Sequence, residues 1–442
     1  ITTGASNVAV GYDALGDTTT GGDNTAVGEL ALSNNTTGIR NVAVGSSALF
    51  TKTTGNDNTA IGTGSLYSNT TASFNTGVGQ NTLELNTTGA NNVAVGVQAL
   101  RANTTASNNT AVGKDALLAN TTGYENTAVG KDSLTANTTG FRNQSFGTAS
   151  LLANTTGEDN TSLGQSSMQT NTTGDKNTAV GNYALKSATT ADNNTAVGYY
   201  SLYANTTGAT NTAIGGNALT ANTTGAANTA VGNGAGDNVT TGSNNSFLGL
   251  DTGYNLTTGS ANIYVGYNNT ASAVDVSNEL LIGSNADGGG TNTVKLQTSG
   301  GSATLGLDGS DTSWAAASDS RLKKDVATSA VGLDFIKDLR PITFKWNAKN
   351  AIANNLPQYD ASSSDPVHGS GKTQHGFLAQ EVKTAIDEHS GLKDGFTMWR
   401  EDPDGTQQVA PTALVPMLVK AVQELSTQVD ELKQELIALK GE

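Results

Sequence analysis

The chain has 442 residues, with 38 acidic against 23 basic side chains and a net charge of −15, a balance that disfavours nucleic acid and anionic membrane as partners. It contains no cysteine, which excludes disulfides and thiolate metal sites, and no apolar run of about 18 residues, which excludes a spanning helix and membrane insertion. Only 14% of residues are charged, while 53 are glycine; low charge argues against a solvated tail, and sparse large aliphatics leave an ordinary globular core short of material. The three histidines, His368, His375 and His389, all lie late in the chain, and neither cofactor nor metal is expected.

From the first residues the sequence repeats. The glycine of an A-V-G phrase recurs at Gly11, Gly28, Gly45, Gly62 and onward to Gly283, always 17 residues apart. Asn stands four places before this anchor in every repeat except the last, a branched or aromatic apolar residue one place before, and usually Leu four places after, from Leu15 to Leu219. An N-T-T-G phrase fills the gap. A unit this short cannot fold alone, so the units must stack. Two short strands and two turns fit each one, with the A-L pair after the anchor beginning the second strand. The anchor and the N-T-T-G glycine, replaced by Ala72, Ala106 and Ala191 in places, mark corners where backbone freedom matters. Stacking would align like residues in columns, with Asn amides hydrogen-bonded in a ladder, and give a rod about 80 Å long over residues 1–285. No signal peptide is visible. Ile1-Thr2-Thr3-Gly4 reads as the end of a repeat, so sequence upstream is expected.

Strand alternation sends Thr and Val to one face and Ala to the other. Ala9, Ala26, Ala43, Ala60, Ala94, Ala111 and Ala128 then form a small apolar stripe, which is expected to be exposed in a monomer and to pack around a shared axis in a trimer. With these features residues 4–285 resemble the left-handed parallel β-roll heads of trimeric autotransporter adhesins, although the repeats of that family are usually a few residues shorter. No membrane-anchor barrel is visible. The Asn column reads as structural rather than ligand-binding. The Thr pairs allow an ice-binding face, but their neighbours point to opposite sides. The many N-x-T triplets fit glycosylation acceptors and turn chemistry equally well.

After Gly232 the repeat changes. The Leu position becomes Gly236, Gly253 and then Thr270, while Phe247, Tyr264, Leu280 and Leu281 appear, as in a broadening cap. Residues 286–317 offer two short alternating strands separated by Gly and Ser, an intertwined β-neck. From Ser318 the composition becomes that of a small α+β domain, 318–442. "GLDFIKDL" (332–339) has helical spacing, "RPITFKW" (340–346) alternates like a strand, and "HGFLAQEVKTAI" (375–386) turns from strand into helix. A last helix, about 412–440, carries Leu418, Val422, Leu425, Val429, Leu432, Leu436 and Leu439 at alternating spacings of four and three. That pattern predicts a coiled coil; an amphipathic helix folded on its own domain is the alternative.

No Ser-His-Asp trio stands out. Ser318 five residues before Lys323 could form a nucleophile–base dyad if the lysine pKa were lowered by burial, but a solvated turn explains that spacing alone. Four phrases in order, "SDSRLKKDV", "LRPITFKW", "HGFLAQEV" and "ALVPMLVKAVQEL", resemble the C-terminal intramolecular chaperone of phage endosialidase tailspikes and tail fibres, a family shared with myelin regulatory factor. The resemblance covers about 318–442. It implies a domain that trimerises, templates the folding of the preceding β-structure and cuts itself off, with Ser318 as nucleophile, Lys323 as base and Ser318–Asp319 as the scissile bond. Arg321 and Leu322 match the motif in a supporting role. His375 stands where the family often has an aromatic, and a packing or hydrogen-bonding role is expected for it.

The expectation is therefore a trimeric left-handed parallel β-roll or β-solenoid of 17-residue coils ending in a chaperone domain with a trimeric coiled coil. It would serve as a bacteriophage fibre for host attachment, made in the host cytoplasm and carried on the virion tail. Its partners would be two further copies, a host cell-surface glycan or protein receptor, and virion tail components upstream. A tailspike glycan depolymerase with its catalytic part upstream, or a bacterial surface or ice-binding solenoid, are the competing readings.

Overall fold

The computed structural model describes the chain apart from residues 1, 52, 300, 308–314, 317–325, 328, 330, 354–358, 369–370, 390–391, 393–397, 402–406 and 441–442. It divides into two compact units, 1–317 and 318–442.

The first unit is a parallel β-solenoid of 17-residue coils. Each coil contributes one three-residue strand, from β1 (Val8–Val10) to β15 (Ser246–Leu248), and longer strands follow at β16 (Ile263–Tyr267) and β17 (Glu279–Ser284). Every strand pairs in parallel with its copy in the next coil, Val8 opposite Thr25 at the start and Ile263 opposite Leu280 at the end. The expected second strand does not form. The Leu of the A-L pair has φ near +50°, as at Leu100 and Leu117, and a left-handed residue cannot continue a strand. It turns a corner instead. Two more left-handed corners fall at positions such as Asp115 and Glu125. Such corners are costly for non-glycine residues. Here each is tied to a neighbouring coil: the Asp115, Leu117 and Glu125 N–H groups donate to the carbonyls of Val97, Ser133 and Ser107 at 3.0, 3.0 and 3.2 Å.

Of the two glycines in the unit, only the anchor needs a left-handed backbone. Gly79 has φ +134°, and a Cβ there would stand 2.7 Å from the Gly96 carbonyl oxygen. The N-T-T-G glycine does not have positive φ, which is why alanine can replace it.

The interior is one continuous core of stacked Leu and Ala. This corrects the expected alanine stripe. Ala26, Ala43, Ala60, Ala94, Ala111 and Ala128 are all fully buried within a single chain, and Ala9, in the first coil, is exposed. Alternation was read correctly, but the methyl side of the strand faces the leucines inside the same coil. The residues left outside are the Thr or Val before it and the Val, Ile, Phe or Leu after it. Ile61, Phe146, Leu163, Ile214 and Leu248 are all exposed.

Three ladders run through the coils. In the first, the strand-leading Asn is buried and accepts the next coil's N–H on its Oδ1: Asn109 N–H donates to Asn92 Oδ1 at 2.9 Å, and Asn126 N–H to Asn109 Oδ1 at 3.0 Å. Its amide also donates to the carbonyl that closes the coil, Asn109 Nδ2 to Gly123 O at 3.0 Å. The second ladder is the N-T-T-G asparagine. Asn103, Asn120, Asn137 and Asn154 are buried, and each Nδ2 donates to the Oδ1 one coil earlier, at 2.8 Å for Asn137 to Asn120. A longer repeat than that of the adhesin heads leads one to expect a turn projecting outward, but the N-T-T-G asparagines lie inside the coil. Buried amides engaged on both atoms also leave no acceptor for glycosylation at these sequons. In the third ladder the first Thr of the phrase donates Oγ1 to the same Thr carbonyl one coil on, Thr87 to Thr104 at 3.0 Å.

The final coils keep the interior filled by a different division of volume. Phe247, Tyr264 and Leu281 replace the small inward residue and are fully buried, while Gly236 and Gly253 replace Leu. A Cβ on Gly236 would lie 2.8 Å from the Phe247 ring, so each large side chain occupies the space the leucine left. Glu279, standing where the Asn column ends, is buried. It accepts the Tyr264 hydroxyl at 2.7 Å and the N–H groups of Ser272 and Gly290 at 3.2 and 2.8 Å. Beyond it β18 (Thr293–Thr298) pairs in parallel with β17, then antiparallel with β19 (Gly301–Gly306), which pairs with β20 (Ala315–Ala316). The two strands expected in the neck are present, and these pairings are made within one chain.

The second unit is small and mixed. It contains α1 (Leu333–Asp338), β21 (Ile342–Phe344), β22 (Gln374–Gly376), α2 (Ala379–Glu388), β23 (Trp399–Glu401), β24 (Gln407–Val409) and α3 (Val415–Lys440). Phe335, Leu339, Val382, Ile386, Met398 and Leu414 form its core. No helix among the described residues is long and apolar enough to cross a membrane.

Candidate functional site

Ser318, Asp319 and Lys323, the residues of the expected dyad and scissile bond, lie outside the described residues, as do Arg321 and Leu322. The other motif phrases are described, and the fold joins three of them. The "ITF" of the second phrase, β21, pairs antiparallel with "QHG" of the third, β22, with Thr343 opposite His375. The His375 side chain is exposed, so of the expected packing or hydrogen-bonding role the packing half is not adopted. Arg340, just before β21, forms a two-pronged ion pair with Glu381 on α2, one prong being Nε to Oε2 at 3.1 Å. The guanidinium holds the Glu381 carboxyl below its ordinary value.

α1 has Gly332 at its N-terminus and no side-chain cap of its own. Glu424 on α3 supplies one, its Oε2 accepting the Leu333 N–H at 2.8 Å. That backbone hydrogen bond, followed by Lys420 at 3.4 Å, draws the Glu424 carboxyl below its ordinary value, as expected for an anion at a helix N-terminus. His389 Nε2 meets Asp338 Oδ2 at 2.7 Å, and its ring stands edge-on to Phe335 at 5.4 Å. In the sequence Glu424 is one of the charged residues that fall off the apolar stripe of the last helix. Its signal was an acidic residue facing a helix start with no capping side chain, which only a known contact between the two helices reveals.

The last helix has an outward apolar stripe. Of its described side chains only Ala421 is buried, while Leu418, Val422, Leu425, Val429, Leu432, Leu436 and Leu439 are exposed. The alternative reading, a helix whose stripe packs on its own domain, is not what the chain adopts.

A family model described as chaperone of endosialidase matches residues 318–391. The match opens at Ser318 and runs through α1, β21, β22 and α2. No curated protein and no solved structure matches the chain. A chaperone-of-endosialidase segment behind a β-solenoid fits a phage tail-fibre or tailspike type of protein.

Proposed function

We propose that the chain is a trimeric bacteriophage attachment fibre whose C-terminal segment directs assembly of the solenoid and is then released by cleavage of its own chain. The observation that carries the reading is the chaperone match beginning at Ser318, directly after the first unit. Two exposed apolar surfaces support three copies: the column of Val, Ile, Phe and Leu along the solenoid and the heptad stripe of α3. Each is long, linear and periodic, and side-by-side identical chains would cover both.

The need for a chaperone follows from the repeat. Successive strands are nearly identical, so neighbouring chains displaced by one whole coil would retain almost every contact. Parallel, non-local pairing is also slow. A C-terminal clamp would set the ends level before lateral packing begins, and its removal would leave a rod that unfolds slowly and lacks its template for refolding. In the cleavage step, Ser318 would act as nucleophile and Lys323 as base, taking the hydroxyl proton as the serine ester forms and returning it to the departing Asp319 amine, after which water hydrolyses the ester. Hydrolysis of Ser318–Asp319 would leave a carboxylate on Ser318 and an amine on Asp319.

The test is expression of the full chain beside Ser318→Ala, followed by intact mass and sedimentation. The parent should yield fragments 1–318 and 319–442, and the variant a single uncut trimer. An intact parent under folding conditions overturns the cleavage; a monomeric variant overturns the assembly.

A further inference from the structure

Along most of the solenoid the outward corner positions carry small or polar residues, but the coils between Gly181 and Tyr203 do not. Tyr183 and Tyr200 occupy the second place after the anchor in successive coils, Lys186 and Tyr203 the fifth, and Tyr199 follows Gly198 directly. The rings are contiguous. Tyr200 lies 5.2 Å from Tyr183, 4.3 Å from Tyr199 and 4.6 Å from Tyr203. Tyr199 is 56% exposed. Lys186 Nζ stands 5.2 Å over the Tyr183 ring and 5.4 Å over the Tyr203 ring.

Three observations set this cluster apart from aromatic stacking between coils. Stacked pairs occur elsewhere, Phe50 with Tyr67 at 21° and Tyr124 with Phe141 at 6°, and there each ring covers a face of the other. In the tyrosine cluster the planes are inclined by 37° to 75°, so no two rings are stacked face to face, and Tyr199 is left 56% exposed at its edge. Second, Tyr183 and Tyr200 sit at φ +60° and +58°, a corner that most other coils fill with small or polar residues such as Gly64, Asn81, Asp115, Asn217 or Gly234, Leu30 being the exception. Bulky side chains are disfavoured there, and unlike the leucine corner these two are not repaid by full burial. Third, the cation is free of carboxylates. Arg142 lies over Phe141 at 4.5 Å but is held by both oxygens of Asp159, whereas Lys186 makes no ion pair among the described residues. In a chain of net charge −15, an ammonium steadied by two rings and left without an anion is a ready charge-assisted donor.

We propose that Tyr183, Lys186, Tyr199, Tyr200 and Tyr203 form a binding platform for a pyranose glycan bearing a carboxylate substituent. The C–H faces of pyranose rings pack on inclined aromatic planes, phenol hydroxyls exchange hydrogen bonds with sugar hydroxyls, and Lys186 pairs with the carboxylate. The site rests on the attachment reading and deepens it by naming the ligand class, but its test needs neither assembly nor cleavage.

Purified full chain is applied to an array of carboxylated and unsubstituted pyranose glycans. Retention on carboxylated glycans is expected, weakened at least tenfold by Tyr199→Ala or Tyr203→Ala. Lys186→Gln should lower binding to the carboxylated set alone. Tyr199→Trp should retain binding, and Phe141→Ala, at the neutralised patch, should leave it unchanged. Unfolding midpoints equal to the parent's establish that the variants fold. No retention on any carboxylated glycan, retention indifferent to Tyr199→Ala, or acid preference surviving Lys186→Gln overturns the site. A chain that cleaves and trimerises yet binds no glycan overturns this site and leaves the fibre reading standing; an uncut, monomeric chain that binds leaves the site standing and overturns the cleavage and the assembly.

Discussion

The second asparagine ladder is interrupted at Ala188, and the interruption yields a substitution expected to stabilise. Asn171 donates to Asn154 Oδ1 at 2.8 Å and to the Gly174 carbonyl at 3.0 Å, but its own Oδ1 is buried without a partner. The same orphan appears at Asn222, where Val239 stands in the next coil's place. On the other side of the gap, Asn205 Nδ2 donates only to the Gly208 carbonyl, at 2.9 Å. Ala188→Asn would supply a donor to Asn171 Oδ1 and an acceptor to Asn205 Nδ2. The coil already accommodates the change, because Asn69 and Asn103 occupy this position with alanine three places on, at Ala72 and Ala106, donating to those carbonyls at 3.0 and 2.9 Å. Satisfying a buried orphan acceptor is worth about 1–3 kcal/mol, and a further hydrogen bond about 1 kcal/mol. Ordering the new side chain and losing a buried methyl offset about 1–2 kcal/mol. The net expectation is a gain of about 1–2 kcal/mol. The converse, Asn137→Ala, orphans Asn120 Oδ1 and takes one acceptor from Asn154 Nδ2, for a loss of about 2–4 kcal/mol. Guanidinium unfolding of the full chain, at matched incubation times, measures both. A neutral or destabilising Ala188→Asn, or an Asn137→Ala within about 0.5 kcal/mol of the parent, would refute the ladder as an energetic device.

The cap predicts a compensating pair: Gly236→Leu and Phe247→Ala should each destabilise, the latter by about 3–5 kcal/mol, while the double variant recovers much of the loss in a mutant cycle. Burial, followed by the Glu279 hydrogen bond, pushes the Tyr264 phenol above its ordinary value. The folded chain keeps a proton that the unfolded chain releases near pH 10, so this contribution is complete below about pH 10 and lost as pH rises beyond it. Tyr264→Phe should flatten the alkaline limb of stability against pH and cost about 1–2 kcal/mol at neutrality, where Glu279 loses a donor. Leu163 is 47% exposed on the strand's outer face. Leu163→Asp should be nearly neutral on a lone chain, but should lower both the assembled mass and the unfolding midpoint if identical chains pack side by side; an unchanged trimer would remove that face from the interface.

The sequence by itself determined the period, because a 17-residue repeat kept without drift admits only stacking in step. It also located the first asparagine ladder, the change after Gly232, the three helices and the β21 and β22 strands of the second unit, though not β23 or β24, and the apolar stripe of the last helix. Hydrophobic spacing and composition carry all of these. Tertiary structure decided which way the strand faces. Alternation separates Ala from Val equally well for either orientation, and only the inward leucines, turned by left-handed corners, show that the methyl is inside and the larger residue outside. It also decided that N-T-T-G is a buried ladder rather than a projecting turn, since a polar phrase looks solvated until its amides meet their copies one coil away. The exchange of Leu and Ala for Gly and Phe, the capping of α1 by Glu424 and the tyrosine platform were hidden for the same reason. Each depends on residues far apart in sequence, or in different coils, whose contact follows from how the chain winds and not from what lies beside them.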